Sequence, residues 1–408
     1  MTTSPPSTGP LVDVRVLDLA DESGVYAGRI LAELGADVIR IEPPGGDGVR
    51  SRLPHLDGVN EAERSLYHQH FNAGKRGVTL DIRSPQGAAL FRRMVAVADV
   101  LIETASPGEM DSLDLGFAAL STTNPNLLYT TITPFGQDGP MRDYRGNDLI
   151  GVASSGLMWL NGFPDDPPNQ PGAEQSYQMA SLVAASTTLI ALAGRGRDGG
   201  GAHRIDISIQ EAASMSTLQH ASANAYTWHG NVNVRRGLSN LRGGRDIFQC
   251  ADGLWISFVV PPYRWEEFVV WLREHRMAAA FEGDGWRDPS HRLEHVAELT
   301  EVMASLASRY DRDDFWHEGQ RRRLLLMRIS TVDEIAGDEQ LRVRDYFEEF
   351  EGPNGQTLRD TGVAYALSAT PAGVPRRAPR LGEHNDEVFG ELFGDGDELA
   401  SLRAGGVV

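Results

Sequence analysis

Val14-Arg15-Val16-Leu17-Asp18-Leu19 and Ala36-Asp37-Val38-Ile39-Arg40-Ile41-Glu42 are short β-like runs, and between them lie a loop at Asp21 to Gly24 and a helical pattern through Ile30, Leu31 and Leu34. Strand, helix, strand in so short a span predicts a βαβ unit with its two strands parallel. Pro43-Pro44-Gly45-Gly46 ends the second strand. The pattern repeats downstream, with strands predicted at Val78 to Asp81, Asp99 to Glu103 and Leu127 to Ile132, and a helix over Ser84 to Val97 opened by Ser84-Pro85. The fold class that follows is α/β, with a Rossmann-like parallel sheet as the core of a large domain. No Gly-x-Gly-x-x-Gly follows the first strand and no Gly-x-x-x-x-Gly-Lys-Ser/Thr occurs, so the nicotinamide, flavin and NTPase readings lose their fingerprints.

Further along, a Gly-rich link spans Gly194 to Gly201, a strand is predicted at Arg204 to Ser208 and a long helix from about Ile209 to Tyr226. An Arg/Gly/Asn-rich stretch then leads to Gly244, Asp246 to Val260 reads as a hairpin turning at Ala251-Asp252-Gly253, and helices continue to about Leu326. The expected organisation is a large domain over 1–225, a small α+β domain over 226–330, and a C-terminal part, 331–408, returning to the first. The apolar run Leu182 to Leu192 is too short to span a bilayer and reads as a buried helix.

With 408 residues, 41% of them hydrophobic, the chain can build two sizeable cores. A net charge of -19 opposes a nucleic-acid or membrane-surface partner, since both need a basic footprint. The one cysteine, Cys250, cannot form an internal disulfide, and the opening Met1 to Pro10 has neither the basic nor the apolar region of a signal peptide. These readings point to the cytoplasm. No His/Cys cluster at ligand spacing stands out, so no metal is expected. Lys75, the only lysine, lies in Asn72-Ala73-Gly74-Lys75-Arg76-Gly77, and a flexible ammonium beside a Gly turn suits a phosphate. The alternative, a solvated loop lysine, stays open on the motif alone.

Several of these segments together resemble the family III CoA-transferases, the CaiB/BaiF family that also contains α-methylacyl-CoA racemases. They are Leu34 to Asp47, Asn72 to Asp81, Ala98 to Glu103, Gly136-Gln137-Asp138-Gly139-Pro140, Asp206 to Ala212 and Leu381 to Glu387, which appear in family order. The resemblance implies a transferase moving CoA between carboxylic acids, with acyl-CoA as substrate and two protomers interlocked like links. It places the CoA phosphates and adenine near Arg40, Asn72, Lys75 and Arg76.

The family's nucleophile is an Asp just before a small-residue helix, which attacks the acyl-CoA thioester and passes through a mixed anhydride to an enzyme-bound CoA thioester. The matching stretch is Gly172 to Leu182, and Tyr177 stands at the Asp position. A phenol, mostly protonated at neutral pH, makes no anhydride carrier. No Asp occurs from Ala173 to Gly194, and Glu174 is the nearest carboxylate. The racemases' Gly-His-Asp is Gly146-Asn147-Asp148 here, which removes the His base and leaves Asp148 to orient the loop. Thr104 to Gly108 lacks the family's Arg, and Phe258 to Pro262 replaces its glycine run. Three readings remain: a CoA-transferase chain working with an Asp-bearing related subunit or through Glu174, a non-catalytic acyl-CoA-binding homologue, and a CoA-dependent isomerase or lyase with Tyr177 as general acid. Trp159, Tyr177 and Trp265 hint at a pocket for an apolar or aromatic acyl group.

Overall fold

The computed structural model describes residues 9–195, 201–218, 224–238, 244–393 and 396–408. Most of the Pro-rich start, most of the link at 194–201, the middle of the helix read over 209–226 and the end of the stretch before Gly244 lie outside the described residues.

Six parallel strands form the main sheet: β1 (Arg15–Asp18), β2 (Asp37–Glu42), β3 (Arg76–Thr79), β4 (Val100–Glu103), β5 (Leu128–Thr133) and β6 (His203–Ser208). Their order is β3-β2-β1-β4-β5-β6, so the chain reverses its direction of growth between β1 and β4. Both faces are covered, as a parallel sheet requires, and neighbouring residues go to opposite sides. Leu17, Ile39 and Leu101 enter one core with Phe91 and Met94 of α3 (Pro85–Val95). Val16, Val38 and Val100 enter the other, against Ala27 and Leu31 and against Tyr177, Ala180 and Ala184.

The helices that concern the site are α1 (Val25–Glu33), α2 (Leu66–Phe71), α3 itself, α4 (Asp148–Ser154), α5 (Gln175–Gly194) and α6 (Ile209–Leu218). Ser84 opens α3 as the sequence predicts: its hydroxyl accepts from the Gly87 N–H at 3.0 Å, with Pro85 in the first turn. The apolar run at Leu182 lies inside the 20-residue α5, which by length and composition alone could cross a bilayer. Its small-residue face packs on the sheet, while Leu182 and Ile190 are 50% and 71% exposed. The helix is therefore one-sided, where the sequence suggested full burial.

β3 is an edge strand, and the C-terminal turn covers it. The Gly77 N–H donates to His384 Nδ1 at 3.1 Å, the His384 N–H to the Gly77 carbonyl at 2.9 Å, and the Thr79 N–H to Asn385 Oδ1 at 2.9 Å. The chain divides into two compact units, one over Met1–Met158, Gln170–Val232 and Gln340–Val408, the other over Trp159–Asn169 and Asn233–Glu339.

The second unit holds the antiparallel strands β7 (Ile247–Gln249), β8 (Trp255–Val259) and β9 (Leu325–Arg328). Its helices include α7 (Trp265–Glu274), α8 (Pro289–Glu294), α9 (Val296–Ala307) and α10 (Arg312–Arg321). The hairpin at Ala251 to Gly253 forms, with Gly253 at φ +80°. Strand β9 is a difference from the helical reading to Leu326: Arg323 adopts φ +58°, which ends the helix and lets Leu326 pair opposite Phe258. Trp265 is buried in this unit's core and stacks on Trp286 at 5.8 Å, so its role there is packing. Cys250 is buried in the same core.

Candidate active site

The β1/β4 switch point is where an open parallel sheet leaves a crevice at the carboxyl ends of its strands. A cavity of about 380 Å³ lies there, lined by Leu19 after β1, Glu42 of β2, Leu80 and Asp81 after β3, Glu103 of β4 and Ser106 beyond it. A second cavity of about 250 Å³ shares Glu103 and Ser106 and adds Tyr129, Gln137 and Arg204. Glu103 is 3% exposed; it accepts from the Ala105 N–H at 2.5 Å, with the Tyr129 hydroxyl at 3.5 Å. Burial pushes its carboxyl up to about 7 against those two donors. Sequence reading passed over Glu103 as a site residue, although its place at the end of β4 beside the switch point was a usable signal.

Lys75 is fully buried. Its ammonium donates to Asp18 Oδ2 at 2.7 Å, to the Val25 carbonyl at 2.8 Å and to Asn72 Oδ1 at 2.9 Å. Three donors meet three acceptors, so a phosphate would have to displace one of them. Burial draws the ammonium down to about 8, opposed by Asp18. Asn72 also donates from Nδ2 to His68 Nδ1 at 3.0 Å, and it ties Lys75 to α2. Arg40 is 1% exposed and is held by Asp18, Asp47 and the Ala20 carbonyl. Asp47 lines the larger cavity, so Arg40 stands one residue behind its wall. Arg76 is placed elsewhere: it begins β3, at the amino edge of the sheet, and binds Asp37 at 2.6 Å, Glu387 at 2.9 Å and Glu391 at 2.8 Å. The phosphate contacts expected of these cations meet donors already bound to carboxylates. Arg83 and Arg204 line the cavities themselves.

Tyr177, Glu174 and Asp148 come together at the start of α5. Asp148 accepts the Ser176 N–H at 2.9 Å, the Ser176 hydroxyl at 2.7 Å and Gln170 Nε2 at 2.9 Å, which locks α4 to α5. Asn147, at the racemase His position, caps α4 by accepting the Ile150 N–H at 3.1 Å. Tyr177 is 7% exposed, and burial, with Glu22 and Asp21 nearby, pushes its phenol well above the usual range. Glu174 caps the helix in the left-handed region, φ +50°, directly after Ala173 at φ +65°. Two successive side-chain-bearing residues there hold the loop in a costly conformation, which positions the carboxylate.

One Glu174 oxygen accepts from Arg52 and the other from the Tyr67 hydroxyl at 2.9 Å. Arg52 lies over the Tyr67 ring at 4.8 Å and within 3.5 Å of Glu22. Arg52 and Tyr67 have no motif around them and were invisible to sequence reading. The expectation that no ligand-spaced cluster exists needs correction too: the ligating atoms of His291, Glu294 and His295 lie within 4.8 Å of one another in the second unit.

CoA-transferase family III matches residues 11–385. A subunit of succinyl-CoA:(R)-benzylsuccinate CoA-transferase from Thauera aromatica is 32% identical, with 97% of each chain covered. Succinyl-CoA–D-citramalate CoA-transferase from Chloroflexus aurantiacus is 33% identical, with 98% of each covered. The crystal structure of a CaiB/BaiF family protein from Brucella suis superposes with a TM-score of 0.83 at 28% identity, covering 94% of this chain and 100% of that one. A parallel sheet with a switch-point crevice, and a match running nearly end to end, establish that this chain belongs to CoA-transferase family III.

Proposed function

We propose that this chain is the Asp-less subunit of a family III CoA-transferase, working beside a related subunit that carries the nucleophilic Asp. The reaction exchanges partners across a thioester: an acyl-CoA and a free carboxylate give the new acyl-CoA and the released acid. The observation that carries this reading is the start of α5. A buried phenol, Tyr177, stands where the resemblance expects the nucleophile, and both oxygens of Glu174, the carboxylate nearest to it along the sequence, are held by Arg52 and Tyr67. A carboxylate neutralised by a guanidinium and a phenol is a weak nucleophile and a good structural anchor. The Thauera relative, named as a subunit, supports the same reading.

The crevice at β1 and β4 is the place for CoA. Its lining carboxylates suit the N–H and O–H donors of an adenosine, while Arg83 and Arg204 supply cations for phosphates. Arg40, Asn72 and Lys75 act from behind the wall by fixing Asp18 and Asp47. Assembly with the partner takes the interlocked form that the family resemblance implies.

The test is mass spectrometry after incubation with a panel of acyl-CoAs and hydroxylamine trapping, on this chain alone and co-expressed with an Asp-bearing family III chain from the same genome. The expected result is CoA binding without a covalent adduct on this chain, and an adduct on the partner's Asp in the complex. An adduct on this chain alone that Glu174→Gln removes would replace the proposal with a relocated nucleophile. CoA binding with no turnover beside any partner would make the chain a non-catalytic homologue.

A further inference from the structure

The pattern His291-Arg292-Leu293-Glu294-His295 puts two imidazoles at i and i+4 and a carboxylate at i+3, within the last turn of a helix and its cap. This is the spacing at which a helix presents two ring nitrogens to one ion. The helix is α8, and His295 is the joint at which it passes into α9. The ligating atoms of the three residues converge within 4.8 Å. Around a first-row dication with bonds of about 2.0–2.1 Å they would sit roughly 3–3.5 Å apart, so side-chain rotations alone close the site. The two imidazole centroids are 4.2 Å apart, and Glu294 is exposed and free to swing.

The surroundings are those of a held site. His295 Nδ1 is bonded to Glu298 Oε1 at 2.9 Å, which leaves Nε2 as the nitrogen available to an ion and supplies an outer carboxylate of the kind that orients metal-bound imidazoles. Both rings pack on Trp286, at 5.1 Å from His291 and 5.7 Å from His295. Trp286 stacks on Trp265, and the buried Arg292 donates to its carbonyl at 2.6 Å while lying over the Trp265 ring at 4.9 Å. Ligands mounted on packed aromatics, with an orienting carboxylate, need little ordering when the ion arrives. Glu294 and Glu298 together match the charge of a dication.

We propose that His291, Glu294 and His295 form a binding site for a first-row transition dication, zinc, nickel or copper, that clips α8 to α9 in the second unit, with Glu298 as the positioning residue. Two nitrogens and one oxygen select these ions over magnesium or calcium, and copper binds most tightly of the three. The site lies outside the crevice and is independent of the CoA reading.

The experiment uses the untagged full-length chain, stripped with a chelator. Isothermal titration with Zn²⁺ and Ni²⁺ is expected to show one equivalent bound, with Kd raised at least tenfold by His291→Gln or His295→Gln and severalfold by Glu298→Gln. Electron paramagnetic resonance of the Cu²⁺ form is expected to show two imidazole nitrogens, absent in the double Gln variant, and Zn²⁺ is expected to raise the melting temperature of the wild type alone. Glutamine keeps volume and polarity, and circular dichroism of the metal-free variants verifies their folding. The proposal is overturned if the double variant binds as the wild type does, or if the wild type shows no stoichiometric binding.

Discussion

Two cation–carboxylate groups in the large unit, built from the same kinds of side chain, differ in what water can reach. Beneath β1, Asp18 holds Lys75 and Arg40, and the side chains of Asp18 and Lys75 are wholly buried. At the start of α5, Glu174 is held by Arg52 and Tyr67, with the side chains of Arg52 and Glu174 at 32% and 25% exposure. A buried pair cannot trade partners with a ligand, because any exchange strands a charge in low dielectric. A half-exposed pair can. The first group therefore fixes the end of β1 and the crevice wall, while under the proposed function the second is open to competition for Arg52 by a substrate carboxylate. The motif that looked most like a ligand site is the one whose cation is wholly enclosed by protein acceptors.

The sharpest way to break this contrast is Asp18→Ala. It leaves two cations without their shared carboxylate, and the loss of one partner from a buried pair costs about 3–5 kcal/mol. Urea unfolding should show a loss of that size. A loss under about 1 kcal/mol would mean that water reaches the cluster and that Lys75 is open to a phosphate after all.

Glu103 tests the crevice itself, with an effect of up to about 3 kcal/mol. Its carboxyl holds a proton up to about 7 in the folded chain and up to the ordinary carboxylate range when unfolded. The folded state therefore binds the extra proton between those values. The stabilisation is fully present below about 4.5 and is lost as pH rises through about 7. Denaturation across that window should slope downward for the wild type relative to Glu103→Gln. Parallel curves would show Glu103 to be solvated.

Gly28→Ala comes next. Alanine favours a helix interior by about 1 kcal/mol over glycine, but here a Cβ would stand 2.4 Å from Asp18 Oδ2 and 3.1 Å from Lys75 Nζ. Both atoms are pinned on their other sides, so overpacking wins and the net change is a loss of about 1–3 kcal/mol by thermal melting. Neutral or improved stability would show that the cluster has room to move.

Much of the sheet was legible because buried parallel strands announce themselves as short apolar runs, and Ser84-Pro85 and Ala251 to Gly253 mark a helix start and a turn by local chemistry. What was hidden depends on distant partners. Lys75 reads as an open cation until Asp18, 57 positions away, is seen to close on it. Arg52 follows a short 3-10 turn and Tyr67 lies in the first turn of α2, and only the fold carries them to Glu174. Strand β9 turns on one left-handed residue, Arg323, in a run of arginines that looks helical. Trp159–Asn169 joins the second unit, and its Pro/Asp-rich run reads locally as a loop, with nothing in it to name the unit it packs with. The spacing of His291, Glu294 and His295 was in plain view and was missed because the surrounding run reads as an ordinary solvated helix.

Glu174→Gln should have the smallest effect on stability and the most discriminating effect on function. The pair with Arg52 is about a quarter exposed at the carboxylate, so solvent screening limits its worth to about 0–1 kcal/mol. The amide keeps an acceptor for Tyr67 and loses only the charge opposite Arg52. If Glu174 is an anchor, turnover of the complex with an Asp-bearing partner changes less than about tenfold, and the effect appears mainly as tighter acid binding, because the freed guanidinium is open to a substrate carboxylate. If Glu174 attacks the thioester, the same variant loses the covalent step itself, a fall of many orders of magnitude that no excess of substrate restores. Stability near wild type in both cases makes the kinetic split readable, since neither outcome can be attributed to unfolding.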